Sequence, residues 1–458
     1  MENCFTFGNK LEIRGDARLN TDTLKKLWNS FCFTACDVSV NEGEKLSFVI
    51  GNAELPELSR GSEYAICVRK DGAAVAGRDF GGLMRGVIVL MMQIEYISLE
   101  EESERFRLRC MDSRSGYKIE KRMIHICVFP ENSLNYIKKL IRLIGMCQYT
   151  HIVVEFWGTL RFDCLKELAW PNAFTKGEAK EIVREIRELG MEPIPMFNML
   201  GHASASRNWF GKHVVLDQNP RLQPLFSPDG WVWDITSQKV RNLQRQIRKE
   251  LYDLFGDTEY FHIGCDEAYY AAHCDEIVNA LPDYLRDLTC EVAAEGRKPM
   301  IWMDMFLEKN QLPEIYVRNC TAGESEKLIS SLAMETVMVD WQYDVKQAPV
   351  ESLLLLKDKG HELLGAPWLD PENFGAYIDT ISEHKLSGIM LTTWHTLKNQ
   401  MCNILRCAHK CGAETFWWSA QSGGPDGPNE ETASLLRRVS FEGNSYAACG
   451  WIEQQIEL

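Results

Sequence analysis

From about residue 118 the chain alternates short runs of apolar and β-branched residues with longer amphipathic ones. The apolar runs fall at 122–128, 151–156, 192–197, 259–264, 299–303, 336–341, 361–366 and 386–393. Each is nearly continuous in apolar character, the pattern of a strand buried on both faces of a parallel sheet. Between them, apolar positions recur at helical spacing over 133–147, 175–189, 237–255, 282–295, 350–359, 372–383 and 397–410. The helix at 175–189 carries its own punctuation. Thr175 and Glu178 make a capping-box pair, Ile182, Val183, Ile186 and Leu189 form the apolar stripe, and Gly190 stops it. Such repeated alternation predicts an α/β protein with a (β/α)8 TIM barrel rather than an open sheet.

The N-terminal part has another texture, with short alternating strands such as 63–69 and one helix at 81–94. The expected organisation is a small α+β domain at 1–116, a catalytic barrel at 117–415, and an extension at 416–458. The extension's apolar tail, 445–458 with Trp451, would dock on the barrel or on another subunit, so a homo-oligomer is kept open. Residues 200–236 are long for a barrel loop and hold Trp209, Asp217, Trp231, Trp233 and Asp234. A loop of that length is expected to serve function.

Composition narrows the partners. The chain has 458 residues, 45% hydrophobic and 25% charged, which is globular rather than disordered. A net charge of -15 disfavours nucleic acid and anionic membrane as partners and leaves a neutral or polar small ligand. The start of the sequence has neither a basic nor an apolar leader segment, and the greasy stretch at 83–94 is too short to span a bilayer. The 16 cysteines are scattered through predicted strands and helices as reduced core thiols would be, so a cytoplasmic location is expected. Cys402, Cys407, His409 and Cys411 lie in one predicted helix without a second ligand pair, so neither a metal nor a cofactor is expected.

The strand at 259–264 ends abruptly in two adjacent carboxylates, Asp266 and Glu267. At the C-terminal end of a barrel strand, paired carboxylates suit acid catalysis, a magnesium site or a helix N-terminus. Gly264 would let backbone approach closely just before the charges appear. An ionised Asp266 would raise the pKa of Glu267 and keep it protonated, as a general acid requires. Tryptophans recur at predicted strand ends: Trp157, Trp302, Trp341, Trp368 and Trp394. They read either as core filler or as a platform for a sugar.

The segment His262-Ile-Gly-Cys-Asp-Glu267 resembles the His-x-Gly-x-Asp-Glu signature of glycoside hydrolase family 20, the β-N-acetylhexosaminidases. Phe197-Asn-Met-Leu-Gly-His202 resembles that family's Asp-Met-Pro-Gly-His segment, and 78–86 looks like the glycine-containing helix start of its N-terminal domain. The resemblance runs from roughly residue 60 to 410 in family order. It implies a carbohydrate substrate ending in an N-acetylhexosamine and retention through the substrate's own acetamido group, which forms an oxazolinium intermediate. By the match Asp266 orients the acetamido group and Glu267 protonates the leaving oxygen. Trp302, Trp341 and Trp394 match the tryptophan box around the N-acetyl group, Trp368 stands where the family has a tyrosine, Asp370 would accept from a sugar hydroxyl, and His202 and His262 match supporting histidines.

The departures concern the sugar's outer edge. Cys127 and Pro130 stand where the family's first strand runs Asp-x-x-Arg, Glu155-Phe-Trp-Gly158 replaces His-x-x-Asp-Asp, Asn198 replaces an acidic residue, and Trp394-His-Thr396 replaces Trp-x-Glu. Substitute contacts are expected from Glu155, Arg161, Arg207 or Asp234. Two other readings stay open: double displacement with Asp304 or Asp340 as nucleophile on a sugar without an acetamido group, and a non-catalytic carbohydrate-binding protein.

Overall fold

A computed structural model of the chain describes residues 3–8, 10–32, 39–40, 44–50, 62–96, 106–204, 215–268, 274–308, 321–395, 397 and 401–412. Eight parallel strands close a barrel in chain order: Lys121–Cys127, His151–Glu155, Glu192–Met196, Tyr260–His262, Lys298–Trp302, Val337–Asp340, Glu362–Gly365 and Gly388–Leu391. The last pairs with the first. The predicted fold class is therefore the observed one, and the strand limits differ by no more than two residues at either end.

Closure explains the unbroken apolar runs, because alternate residues face the barrel lumen and the surrounding helices, and both are dry. Met123, Val153, Ile194, Tyr260, Met300, Val337, Leu364 and Met390 pack together as a cluster separate from the larger core outside. At the strand starts Lys121 bonds the Tyr260 hydroxyl at 2.6 Å and Glu362 at 2.5 Å. Towards the strand ends the lumen turns polar, with His125, Glu155 and His262 wholly buried.

The capping box at Thr175 and Glu178 forms as predicted. A second one, Thr321 with Glu324, opens a helix at Ala322–Ser331 that is missing from the predicted elements. The predicted helix at 282–295 in fact runs Asp275–Ala294 with Pro282 inside it. Ile277 and Leu281 continue the buried stripe of Tyr284, Leu285, Leu288 and Val292 across the proline, and that burial outweighs one missing backbone bond. The N-terminal region is α+β, as expected. Among the described residues, a six-stranded mixed sheet and a three-stranded antiparallel one carry helices at Thr21–Cys32 and Phe80–Met92, where one helix is expected from the sequence. Among the described residues no helix is long and apolar enough to cross a membrane. The tail at 416–458 lies outside the described residues.

A buried ion cluster ties this region to the barrel. Glu63 accepts from Arg85 at 2.7 Å and from Arg122 of the first barrel strand at 3.0 Å, and all three side chains are under 8% exposed. Arg122 also donates to the carbonyls of Gln148 and Ile119 and lies 3.7 Å over the Tyr117 ring. Removing the central carboxylate strands two guanidinium groups in a dry interface. Glu63→Ala is expected to cost about 3–5 kcal/mol, read as a lower urea midpoint. A loss below about 1 kcal/mol would show that water enters and solvates the arginines.

Candidate active site

The fourth barrel strand is short, and the chain turns immediately after it. The Gly264 N–H donates to Nδ1 of His262 at 3.0 Å, so that imidazole carries its proton on Nε2 and is neutral. Gly264, Cys265 and Glu267 then have φ values of 66°, 72° and 49°. A Cβ on Gly264 would lie 2.2 Å from Oδ1 of Asn198, which accounts for glycine there. For Cys265 and Glu267 the left-handed region costs roughly 1–3 kcal/mol each, and it persists only where neighbours enforce it.

The enforcing contacts come from three other strand ends. The Glu267 N–H donates to Oδ2 of Asp304 at 2.8 Å, and the Glu267 carbonyl accepts from the Trp231 indole at 2.7 Å. The Asp266 carbonyl packs so closely on Gly201 that a Cβ there would lie 1.9 Å from it. The next residue, His202, is itself left-handed at φ 53° and has its carbonyl held by the Trp157 indole at 3.0 Å. Its Nε2 lies 2.9 Å from Oε2 of Glu267 and 3.3 Å from Oδ2 of Asp266. The two carboxylates differ in access: the side chain of Asp266 is 4% exposed and that of Glu267 31%.

The aromatic residues continue from this turn. His262 packs on Trp302 at 4.5 Å between ring centres, Trp302 on Trp394 at 5.3 Å, and Trp394 on His125 at 4.8 Å. The Trp394 indole donates to the Tyr343 hydroxyl at 2.6 Å, and Tyr343 lies 5.3 Å from Trp341 and 5.2 Å from Trp368. Tyr343 thus joins Trp302, Trp341, Trp368 and Trp394 into one wall. It is absent from the predicted site residues, although its position two residues beyond Trp341 puts it on the same side of an extended chain. Trp157 belongs elsewhere: it is wholly buried against Phe197 and Trp233.

The remaining carboxylates are sorted by their partners. Asp304 is wholly buried, and its Oδ1 accepts from the Trp341 indole at 3.2 Å. Burial and the nearby charges of Asp266 and Glu267 push its pKa well above the ordinary value. Asp340 is also wholly buried and accepts from Ser352 at 2.7 Å and Tyr377 at 2.8 Å. Burial lifts it to about 6. Asp370 pairs with Lys346 at 2.8 Å and caps the helix Pro371–His384, which together hold its carboxyl below the usual range.

The expected substitute contacts are engaged in other ways. Glu155 is wholly buried, within 3.0 Å of His125 Nε2 and accepting from Asn198 at 2.6 Å. Arg161 donates to the carbonyls of Ala173 and Pro171, and Asp234 binds the hydroxyl and N–H of Thr236. Arg207, Trp209 and Thr396 lie outside the described residues. The long loop after the third strand serves this site through its indoles, Trp231 on Glu267 and Trp233 on the Asn198 carbonyl at 2.9 Å.

A closed parallel barrel with an acidic pair on the turn after its fourth strand defines the class, a TIM-barrel protein built like the glycoside hydrolases. The family model for the glycosyl hydrolase family 20 catalytic domain matches residues 157–367 of the chain. A lacto-N-biosidase of Bifidobacterium bifidum is 20% identical over 205 residues, 41% of this chain but 18% of that protein. Among solved structures, a chitobiase of Flavobacterium johnsoniae superposes with a TM-score of 0.68 at 16% identity, covering 96% of this chain and 70% of that one. The β-N-acetylhexosaminidase of Streptomyces coelicolor A3(2) gives 0.67 at 14% identity, covering 96% and 94%.

Two variants probe this geometry. Gly264→Ala meets both a left-handed backbone and Asn198, so it is expected to lose at least about 2 kcal/mol of stability. Unchanged chemical denaturation would mean the turn relaxes freely. Between about pH 4 and 6 Asp340 holds a proton in the folded chain that it gives up when unfolded, so its contribution to stability is fully present below about pH 4 and is lost as pH rises through about 6. Asp340→Asn is therefore expected to melt higher than the parent at pH 8, by up to about 3 kcal/mol, and to lose that advantage at pH 4. An advantage that does not vary with pH would sink this account.

Proposed function

We propose that the chain is a retaining exo-glycosidase of the β-N-acetylhexosaminidase type, acting by substrate-assisted catalysis on glycans that end in an N-acetylhexosamine. The observation that carries the reading is the unequal pair: Glu267 partly exposed with an imidazole on its carboxylate, and Asp266 recessed beside the same imidazole. Glu267 is reachable by a leaving-group oxygen and gives it a proton as the bond from the anomeric carbon breaks. The substrate's acetamido oxygen bonds to that carbon from the opposite face, and Asp266 holds the acetamido N–H while positive charge spreads over the new ring. Glu267, now ionised, takes a proton from water as it opens that ring, so configuration is retained.

Burial supports an acetamido nucleophile over an enzymic one. Both alternative carboxylates, Asp304 and Asp340, are enclosed and accept hydrogen bonds from neighbouring groups. The likeness to hexosaminidase structures supports the scaffold, and the family match supports a carbohydrate substrate.

A panel of aryl glycosides of N-acetylglucosamine, N-acetylgalactosamine and their non-acetamido parents tests the proposal. Only the N-acetylated sugars should turn over, a thiazoline mimic of the oxazoline should inhibit strongly, and Asp340→Asn should keep its activity. Glu267→Ala should lose about 10²–10⁴ in kcat on poor leaving groups, and azide should rescue it to a product of retained configuration. Turnover of the non-acetamido parents without thiazoline inhibition would favour double displacement. No turnover on any sugar would favour a binding protein.

A further inference from the structure

We propose that Asp304 is a positioning residue for the acid, a carboxylate that fixes the Glu267 peptide and the Trp341 indole to each other; this rests on the reading of Glu267 as the general acid. Asp304 opens a short 3-10 turn, Asp304–Phe306, directly after the fifth barrel strand, and it is wholly buried. Its two oxygens point to different elements: Oδ2 takes the N–H of Glu267 from the fourth strand's turn, and Oδ1 takes the indole N–H of Trp341 from the end of the sixth strand. One planar carboxylate therefore spans three consecutive strand ends.

The geometry also explains why a carboxylate is needed. The Glu267 N–H is held at φ 49°, a conformation that a glutamate leaves unless both ends of its peptide are gripped. Trp231 grips the carbonyl, and Asp304 grips the N–H. An amide in place of the carboxylate offers one acceptor oxygen and turns its NH2 donor towards the other N–H, so one of the two bonds must become a repulsion. A buried carboxylate beside Asp266 and Glu267 is costly, because burial and those neighbouring charges oppose its ionised form. Packing alone would be met more cheaply by an apolar residue.

The role makes a prediction that general destabilisation does not. Displacing Glu267 harms proton delivery, so it should slow substrates whose leaving group needs a proton and spare those whose leaving group departs as a stable anion. For Asp304→Asn, kcat/KM on a natural disaccharide should fall about 10²-fold, while kcat/KM on the 2,4-dinitrophenyl glycoside, which reports bond cleavage without need of a proton, falls less than about threefold. Trp341→Phe keeps the bond to Glu267, so it should raise KM without changing that leaving-group dependence. In a Glu267→Gln background Asp304→Asn should cost little more, because it acts through a group already disabled. Asp304→Ser, smaller and still an acceptor, serves where the asparagine variant does not fold.

Equal losses on both leaving groups, or full additivity with Glu267→Gln, would overturn the assignment. So would failure of both Asp304 variants to fold, which would make the carboxylate structural. A parent protein that turns over neither leaving group defeats the acid reading itself, a different result from an active parent with an indifferent Asp304.

Discussion

The site depends on a backbone that would not hold its shape alone. Gly264, Cys265 and Glu267 are all left-handed, and at two of these positions a side chain makes that unfavourable. A tight turn of this kind ends the strand at His262 and sets the carboxylates of residues 266 and 267 beside the His202 imidazole. The cost is met by contacts from Asp304 after the fifth strand and from Gly201 and Trp231 after the third, with Trp341 of the sixth bonded in turn to Asp304. The turn's shape thus depends on residues from neighbouring strand ends as well as on its own sequence.

Indole N–H groups do much of the holding. Trp157 bonds the His202 carbonyl, Trp231 that of Glu267, and Trp233 that of Asn198, while Trp341 and Trp394 bond Asp304 and Tyr343. A tryptophan at a strand end is usually weighed as core filler or as a stacking platform. Here several satisfy carbonyls at the ends of strands, where the ladder stops supplying donors and water is excluded. Their bulk also keeps the surroundings of those bonds dry, which strengthens each one.

The barrel was legible in the sequence because strands buried on both faces leave an unmistakable apolar run, and every one of the runs from 122 to 393 became a barrel strand. Helices were less legible where the usual signals conflict. Pro282 reads as a helix start but sits inside one, because burial on both sides of it decided the matter. The helix Ala322–Ser331 had a readable capping box at Thr321 and Glu324 but a weak apolar stripe. In the site, Asp266, Glu267 and His202 do come together, and His262 adjoins Trp302 and Trp394. Roles set by contacts between strands were out of reach: nothing in the local sequence around Glu155 says that His125 and Asn198 will enclose it, or that Asp304 will take the Glu267 N–H.

Six acidic residues, Glu155, Asp266, Glu267, Asp304, Asp340 and Asp370, lie near the same end of the barrel, and composition cannot rank them. Environment does. Glu155, Asp304 and Asp340 are wholly buried among hydrogen-bonding partners, which suits support. Asp370 and Glu267 have equal side-chain exposure, 31%, yet an ammonium grips the first and an imidazole the second. Lys346 keeps its proton at any working pH and so keeps Asp370 ionised. Equal access therefore hides different surroundings: Asp370 caps a helix beside an ammonium, and Glu267 shares one imidazole with Asp266.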